Sequence, residues 1–384
     1  MSCQYPTSSQ QLELLDFARS VIPENFFQDA FLIASQHILP ALEFLLDALL
    51  SKGLLPENIA IIGKCYSSSS VSIGNLRAKG IYVSDLSLSF DSYENYDDLY
   101  KSHVQKFFEG LSDLDFTPYQ RIIILDDGGD LHLEANTFFA DFSKLCGVEQ
   151  TSRGYNRITR FQPSYPIIAV ARAKAKLNLE SPLVAKAVVT SLQNQCQHHA
   201  THPRNALVIG NSAIGSAIAD ELSNYYAVSK FDMMPERSDF DELHLKAIAA
   251  EIDLILGCTG ENLLPLLERN DLLKHRAILA SCSVSDVEFG GKQLRLWTKQ
   301  TFNCHDTLSV ANVSLLNTGF PINFSGGDKD SIPLSKLQLT IALLLLGVFQ
   351  AAQYTEKSGN LIVPLEEKMQ DLLIARYTNV KGVN

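Results

Sequence analysis

The sequence predicts an α/β fold with two doubly wound parallel-sheet domains, one of them inserted into the other. From about residue 30 onward, short apolar β-type segments alternate with segments of helical periodicity. Such alternation is typical of parallel sheets that are covered by helices on both faces. A chain of 384 residues also exceeds the size of one ordinary hydrophobic core, which favours two domains.

The predicted strands are short apolar runs, and the predicted helices are longer runs with apolar residues three or four positions apart. The strands are Ile59–Gly63, Ile81–Ser84, Arg121–Asp126, Pro166–Ala171, Ala206–Gly210, Ala227–Asp232, Asp253–Thr259, Ala277–Ser283 and Ser309–Leu316. The helical segments include Ile38–Leu50, Asn136–Cys146, Leu183–Gln193 and Ser212–Asn224. The chain before about residue 25 is polar and weakly periodic, so no element is predicted there.

Two polar connectors divide the chain into domains. Gln193–Pro203 precedes a glycine-containing strand–helix unit, and Phe324–Ser331 is rich in glycine and charge. The predicted organisation is a first domain over residues 1–194, an inserted domain over residues 195–324 and a C-terminal helical return over residues 325–384. Both connectors are expected to act as hinges.

Composition excludes several classes of partner. The formal charge of −11 argues against nucleic acid, whose phosphates require a basic surface. The segment Met1–Gln10 lacks the features of a secretory signal, so a cytoplasmic location is expected. The apolar run Leu339–Phe349 is too short to cross a bilayer and predicts a buried helix rather than a membrane anchor. We expect this helix to pack between domains or subunits of a homodimer or homotetramer.

The cysteines and histidines do not predict a metal site. Seven cysteines are scattered without the spacing of a zinc site, which indicates reduced thiols in a reducing compartment. His198, His199 and His202 lie in a polar connector, and adjacent side chains point apart. No metal is therefore expected.

The segment around Gly210 has the pattern of a dinucleotide-binding turn. A strand runs into Gly210, Ser212, Ile214 and Gly215, and the next strand ends at Asp232. Small residues allow a pyrophosphate to approach the backbone, and the helix N-terminus offers N–H groups to it. An acid at the end of the second strand accepts hydrogen bonds from ribose hydroxyls and repels a 2′-phosphate. The pattern predicts a Rossmann domain that binds NAD; the alternative is a structural turn in an ordinary parallel sheet.

A second turn carries three carboxylates. The strand Ile122–Asp126 is followed by Asp127, two glycines and Asp130. Close pairs of like charges repel by about 1 kcal/mol unless a ligand or cation offsets them. This cost favours a ligand site; the alternative is a charged strand-to-helix turn in which Asp130 caps the helix.

The chain resembles the S-adenosylhomocysteine hydrolase family over about residues 30–350, both in this motif and in the order in which several further motifs follow one another. The resemblance implies a substrate-binding domain and an inserted NAD domain. The matching segments are Gln36–His37, Cys65–Ser69, Asp126–Leu131, Gly147–Gly154, Gly257–Gly260, Asp286–Glu288 and Leu316–Gly319.

The resemblance also implies roles for individual residues. It makes Asp127 the sugar-site carboxylate and His37 a ligand contact. Lys174 would be the lysine at the ribose 3′-hydroxyl, with Lys176 as the alternative. The other implied positions are Asp130, Gln150, Thr151 and Asn178 around the ligand, and Thr259, Gly260 and Asn317 around the cofactor, with Asn317 at the nicotinamide amide.

The departures from the family concern substrate chemistry. Gln150 stands where the family has a glutamate, Asn178 and Leu179 replace an Asp-Asn pair, and Val284 and Phe324 replace histidines. Leu39 and Ala41 replace polar groups that contact adenine. Loss of an acid or base group costs about 10²–10⁴-fold in rate.

Arg153 and Arg172 lie beside the predicted sugar site, and guanidinium groups suit a carboxylate or phosphate. The expected ligand is therefore a small nucleoside or an anionic sugar-like molecule.

Several functions stay open on the sequence alone. The favoured one is a divergent enzyme that uses NAD to oxidise a hydroxyl group of a ribosyl or polyol ligand. The second is a catalytically silent binding or regulatory protein with structural NAD. The others are S-adenosylhomocysteine hydrolysis itself and a 2-hydroxyacid dehydrogenase, for which His305–Asp306 is the nearest histidine–carboxylate pair.

Overall fold

In the computed structural model, which describes residues 12–197, 203–324, 326–354 and 360–381, the strands form two sheets. The first sheet is parallel throughout, in the order β3-β2-β1-β4-β5-β6-β13. Its strands are β1 (Ala30–Ser35), β2 (Ile59–Ile62), β3 (Tyr82–Val83), β4 (Arg121–Asp126), β5 (Leu145–Glu149), β6 (Ile167–Ala169) and β13 (Ile362–Pro364).

The second sheet has the order β8-β7-β9-β10-β12-β11 and is parallel except for the β11–β12 hairpin. It consists of β7 (Asn205–Ile209), β8 (Ala227–Phe231), β9 (Leu254–Gly257), β10 (Ala277–Ser281), β11 (Leu308–Val310) and β12 (Val313–Leu315). The predicted α/β fold with two doubly wound sheets is confirmed.

Helices cover both faces of the sheets, and the apolar residues between them form the cores. They are α1 (Glu13–Ser20), α2 (Pro40–Leu50), α3 (Ser70–Ala78), α4 (Tyr96–Gly110), α5 (Asp130–Phe138), α6 (Ser152–Phe161), α7 (Ser181–Cys196), α8 (Ala213–Leu222), α9 (Glu242–Ile248), α10 (Leu264–Arg269), α11 (Gly291–Thr298), α12 (Leu334–Gln353) and α13 (Glu367–Lys381).

Helix α12 is longer than the apolar run that predicted it. With 20 residues the helix is long and apolar enough to cross a membrane, but 67% of its apolar 18-residue segment is buried inside the protein. The helix packs against α1, α2 and β5 in the core of the first domain. Most of its apolar residues are therefore covered within the first domain rather than between the domains, and a contact with another subunit stays a prediction. The oligomeric state stays a prediction.

Three element predictions were wrong. Helix α1 forms where none was expected, because Leu14, Leu15 and Ala18 are buried in the core that contains α12. The predicted helix Asn136–Cys146 ends at Phe138, and the chain then enters the buried strand β5. The predicted strand Ser309–Leu316 is a hairpin that turns at Ala311, where φ is 50°.

Helix α7 packs on α8, and Val188 and Leu192 join a core cluster with residues of the second sheet. The helix thus contributes to the core of the second domain. The predicted boundary at residue 194 stays a prediction. The connector histidines at 198, 199 and 202 lie outside the described residues.

Arg295 on α11 connects the second domain to the first. Its side chain is fully buried. Its Nε lies 2.8 Å from the Ser92 carbonyl oxygen and its Nη2 lies 3.0 Å from that of Glu94. Its guanidinium group also pairs with Asp286 at 2.7 Å and lies over the ring of Phe90. The loop before α4 is thus held by a buried cation from the other domain.

Candidate functional site

In the first sheet, the predicted sugar site lies where the strand order reverses. Strand β1 pairs with β2 on one side and with β4 on the other, and ligands of such sheets bind beyond the carboxyl ends of the strands at this point. His37 follows β1 and Asp127 follows β4, so the fold places both at the switch point. His37 Nε2 lies 3.5 Å from Asp127 Oδ2.

Asp127 is buried and surrounded by donors. Lys64 Nζ forms an ion pair with one carboxylate oxygen and donates to the backbone carbonyl of Asp127 at 2.7 Å. The Gln150 side-chain amide donates to the other carboxylate oxygen. Burial opposes ionisation, but the charges of Lys64 and His37 and the donated hydrogen bonds hold the pKa of Asp127 well below its usual range. The group is therefore a permanent carboxylate.

His37 faces this carboxylate as a neutral imidazole. Burial lowers its pKa to about 4, although the charge of Asp127 works in the opposite direction. Its Nδ1 lies 2.5 Å from Ser67 Oγ, and its ring packs on Phe324 with centroids 4.5 Å apart. Because Nε2 faces a carboxylate, the neutral ring keeps its proton there and accepts from Ser67 at Nδ1. His37 is thus a hydrogen-bond donor at this site.

The lysine that the sequence favoured for this site does not reach it. The prediction that Lys174 faces the ligand is wrong, because its Nζ pairs with Glu367 at 2.8 Å and 62% of its side chain is exposed. The alternative, Lys176, is mostly buried beside Glu180 at 3.2 Å, and its charge helps to lower the pKa of His37. Lys64 was missed; the available signal was its position directly after the strand Ile59–Gly63, beside the strand that leads to His37.

The structure places Arg153 and Arg172, both predicted to contact the ligand, in different surroundings. Arg153 is half-buried, forms an ion pair with Asp97 and has its Nη1 3.3 Å from Ser285 Oγ in the second domain. The exposed Arg172 instead lies over the ring of Tyr155, at 4.4 Å from its centroid. Of the two, Arg153 is therefore the one that reaches the region between the domains.

The other predicted ligand contacts have structural partners. Asp130 pairs with Arg157 through both carboxylate oxygens, at 2.6 and 2.7 Å. Thr151 caps α6 by accepting from Gly154 N–H at 3.0 Å. Asn178 is exposed on a π-helical turn over residues 176–180. The structure therefore does not bring Asn178 to Asp127.

Behind Asp127 lie two fully buried carboxyl groups, Asp126 and Glu149, on neighbouring positions of β4 and β5. Together with His132 they offer ligand-type atoms within 4.8 Å of one another. The His132 Nε2 lies 3.3 Å from the Val148 carbonyl oxygen, which can only accept, so this nitrogen carries a hydrogen and has no lone pair for a metal. The cluster instead holds a proton on the carboxyl pair, because two buried like charges disfavour each other.

This carboxyl pair predicts a pH dependence of stability. Burial raises the pKa of Asp126 to about 7 and that of Glu149 well above its usual range. The unfolded chain loses these protons near pH 4, whereas the folded chain keeps them, so the stability contribution falls as pH rises from about 4 to about 7.

Asp126→Asn removes one of these titrating groups. Relative to the parent, the free energy of unfolding of this variant is therefore expected to rise by several kcal/mol between pH 5 and pH 8, at about 1.4 kcal/mol per pKa unit. Urea unfolding at both pH values measures it, with Asp113→Asn, at an exposed position, as control. An equal pH slope for Asp126→Asn and parent would contradict the account.

In the second sheet, the predicted dinucleotide turn lies at the corresponding switch point, between β7 and β9. Gly210 has φ of 97°, and a side-chain carbon there would lie 2.8 Å from Thr259 Cγ2. A side-chain carbon on Gly215 would lie 1.8 Å from the Gly210 carbonyl oxygen. Ser212 precedes α8 without a side-chain capping bond, and Ile214 lies in its first turn. The first N–H groups of α8 are thus left for an anion.

Asp232 lies at the predicted place beside this turn. Its carboxylate accepts from the backbone N–H groups of Asn211 at 2.7 Å and Met234 at 2.9 Å. The group is partly exposed and has further lone pairs for a ligand.

Three other predicted cofactor contacts are engaged within the chain. The fully buried Glu288 accepts from the N–H groups of Thr259 at 2.6 Å and Gly260 at 2.9 Å. The Asn317 side-chain amide donates to the carbonyl oxygens of Pro321 at 3.2 Å and Phe324 at 2.9 Å. Its Oδ1 accepts from the Gln195 side-chain amide at 3.1 Å, so a role of Asn317 at the nicotinamide would use the second lone pair of Oδ1.

Comparisons with known proteins show distant relatives. No protein-family model matches the chain. An uncharacterized protein of Mycobacterium tuberculosis is 37% identical over 333 residues, which cover 84% of this chain and 64% of that protein. The chain thus spans slightly less than two thirds of the length of this relative. The adenosylhomocysteinase of Sulfurisphaera tokodaii is 25% identical over 196 residues, covering 48% of this chain and 47% of the enzyme.

The solved structures that match this protein do so with low sequence identity and low TM-scores. A dipicolinate synthase structure from Bacillus halodurans has a TM-score of 0.37 and 10% identity, covering 71% of this protein and 88% of that one. An NAD-dependent formate dehydrogenase from Staphylococcus aureus has the same TM-score and identity, covering 85% and 97%.

Proposed function

We propose that this protein is a divergent adenosylhomocysteinase-like enzyme that binds NAD and oxidises a hydroxyl group of a ribosyl or polyol ligand. The observation that carries the proposal is the pairing of two switch-point sites. The glycine turn before α8 offers free N–H groups, and the cluster around Asp127 offers a buried carboxylate with Lys64 as its cationic neighbour. The distant adenosylhomocysteinase similarity supports the same assignment.

The two sites are connected through the region between the domains. Asn317 donates to the carbonyl oxygen of Phe324, and the ring of Phe324 packs on His37. Arg153 reaches from the first domain to Ser285, next to Val284. A ligand that contacts Asp127 would therefore lie close to the segment that the family uses around the nicotinamide.

The residues of the first site suit binding and orientation of a hydroxyl group. NAD, when bound, would supply the hydride acceptor. The Asp127 carboxylate would accept a hydrogen bond from the hydroxyl, and Lys64 and His37 would stabilise the oxygen through donated hydrogen bonds. We assign Lys176 to receive the hydroxyl proton, in the role that the sequence gave it as the alternative to Lys174. Because its ammonium group is paired with Glu180 at 3.2 Å, Lys176 must first pass its own proton to this carboxylate.

Arg153 would select the ligand by charge. Its guanidinium group is only partly covered by Asp97 and Ser285, and guanidinium suits a carboxylate or phosphate. The proposed ligand class is therefore an anionic riboside or sugar-like molecule in the cytoplasm.

A second candidate is a catalytically silent protein with structural NAD. It is favoured by the occupation of Asp127, whose two carboxylate oxygens are already bonded to Lys64 and Gln150. The permanent charge of Asp127 also makes it a weak base.

The test uses the full chain loaded with NAD and follows absorbance at 340 nm after addition of ribosides, sugar phosphates or S-adenosylhomocysteine. For a ligand that reduces the cofactor, Lys176→Met and Asp127→Asn should each lower the rate by about 10²–10⁴-fold. Lys174→Met is the matched control and should leave the rate unchanged, because this lysine pairs with Glu367 at the surface.

Equal rates for Lys176→Met and the parent would refute the assigned proton acceptor. No absorbance change with any ligand, together with retained NAD, would favour the silent protein. Rapid release of homocysteine from S-adenosylhomocysteine would show that the altered residues do not prevent the family's hydrolysis.

A further inference from the structure

Two cysteines from the two domains lie in contact beside the candidate site. Cys65 begins the short 3-10 turn over residues 65–67 in the first domain, and Cys304 lies in the loop between α11 and β11 in the second. The Cys304 Sγ lies 3.6 Å from the carbonyl oxygen of Cys65, and the Cys304 thiol raises the pKa of Cys65. Cys304 is buried within the aromatic cluster of the first domain that includes Tyr66.

The neighbours of Cys304 prepare it for oxidation. The hydrogen bond from Cys65 and the adjacent His305 lower the pKa of Cys304 to about 5, although burial opposes this. The same contact and burial raise the pKa of Cys65. The pair therefore contains one thiolate and one thiol at neutral pH, and the thiolate is the form that reacts with peroxides.

His305 belongs to this pair rather than to a dehydrogenase site. Burial lowers the pKa of His305, but Cys304 and the backbone of Phe324 raise it above its usual value. A side-chain carbon on Gly326 would lie 3.1 Å from its ring, so the segment after Phe324 packs closely over it. The histidine ring thus lies at the domain boundary, next to Cys304 in the chain.

We propose that Cys65 and Cys304 form a reversible disulfide bond that joins the two domains when the protein is exposed to hydrogen peroxide. This inference does not depend on the proposed enzymatic function. In the first step the Cys304 thiolate attacks the peroxide, an S–O bond forms, the O–O bond breaks and hydroxide leaves as water after taking a proton.

In the second step the Cys65 sulfur attacks the sulfenic acid of Cys304, an S–S bond forms and the S–O bond breaks. The oxygen leaves as a second water with the proton of Cys65. Two thiols and one peroxide thus give one disulfide and two waters, with the sulfurs oxidised and the peroxide oxygens reduced.

The consequence is a covalent link next to the ligand site. Cys65 is two residues from Ser67, which contacts His37, and Cys304 precedes the histidine that packs under Gly326. Oxidation would fix the segments of Cys65 and Cys304 beside the ligand site and prevent the two domains from separating. The link would also close a long loop of the chain, which raises thermal stability.

A second thiol pair provides the internal comparison. Cys258 and Cys282 directly follow the paired strands β9 and β10, so they lie at neighbouring strand ends. Burial raises the pKa of Cys282 well above its usual range, so this sulfur is held as the unreactive thiol.

The experiment treats the full chain with a few equivalents of hydrogen peroxide, alkylates the remaining thiols and maps the peptides by mass spectrometry. We expect a linked peptide pair that contains Cys65 and Cys304, a higher melting temperature and reversal of both by dithiothreitol. The Cys258→Ser variant should give the same linked pair. In the Cys65→Ser variant, Cys304 should instead be trapped as a dimedone adduct of its sulfenic acid.

Full alkylation of Cys65 and Cys304 in the parent protein after peroxide treatment would overturn the proposal. A linked Cys258–Cys282 pair with Cys304 still alkylated would overturn it as well. Because the peptide map of the parent protein decides the matter, the result does not depend on how well the serine variants fold.

Discussion

The Arg295→Ala variant is expected to lose about 3–5 kcal/mol of unfolding free energy, the range for leaving one partner of a buried ion pair without the other. The guanidinium group is fully buried, pairs with Asp286 at 2.7 Å and donates to the carbonyl oxygens of Ser92, Glu94 and Thr318. Removing it leaves a buried carboxylate and three carbonyl groups without their donor.

Lys292→Ala is the matched control, because Lys292 lies on the same helix but forms an exposed ion pair with Glu94 at 3.3 Å. Such a pair contributes at most about 1 kcal/mol. Urea unfolding followed by circular dichroism compares the two variants with the parent. Equal midpoints for Arg295→Ala and Lys292→Ala would show that the buried arginine does not hold the domains together.

The Gly215→Ala variant is expected to lose both stability and the proposed cofactor. The added methyl group would lie 1.8 Å from the Gly210 carbonyl oxygen, so the turn before α8 must move. Overpacking of this kind costs about 1–3 kcal/mol. The displaced turn would no longer present its N–H groups to a pyrophosphate, and we expect NAD affinity to fall at least about tenfold, following the loss of one charge-assisted hydrogen bond.

Gly74→Ala provides the comparison within the same chain. Gly74 lies in α3, where an added side-chain carbon meets no atom within 4 Å. Replacing an exposed glycine inside a helix by alanine stabilises by up to about 1 kcal/mol. Melting temperatures with and without NAD separate the two cases. A Gly215→Ala variant that melts and binds NAD like Gly74→Ala would contradict the geometry of the turn.

The sequence predicts the strand-and-turn framework well because these signals are local. Strand β4 has the predicted bounds Arg121–Asp126, and Gly210, Gly215 and Asp232 lie together at one switch point. Apolar runs and glycine turns depend on residues that are close in the chain. Periodicity failed where burial depends on distant partners: α1 is held by α12, and β5 has no alternating pattern because both its faces are covered.

The same dependence on distant partners explains why the sequence pointed to Lys174 and not to Lys64. The backbone after β6 turns so that Lys174 Nζ meets Glu367 on α13, a contact that no local pattern reveals. Lys64 reaches Asp127 across the sheet edge, although 63 positions separate the two residues. Residue type and strand position suggest such a cation, but only the packing of neighbouring strands selects one lysine over another.

The central claim is that the turn before α8 and Asp232 bind NAD, and calorimetric titration of NAD and NADP into the nucleotide-free full chain tests it most directly. We predict one NAD site per chain, weaker binding of NADP, and a loss of about 1–3 kcal/mol in NAD binding for Asp232→Ala, the range for a charge-assisted hydrogen bond. Absence of binding heat for NAD, or equal affinity of parent and Asp232→Ala, would contradict the account.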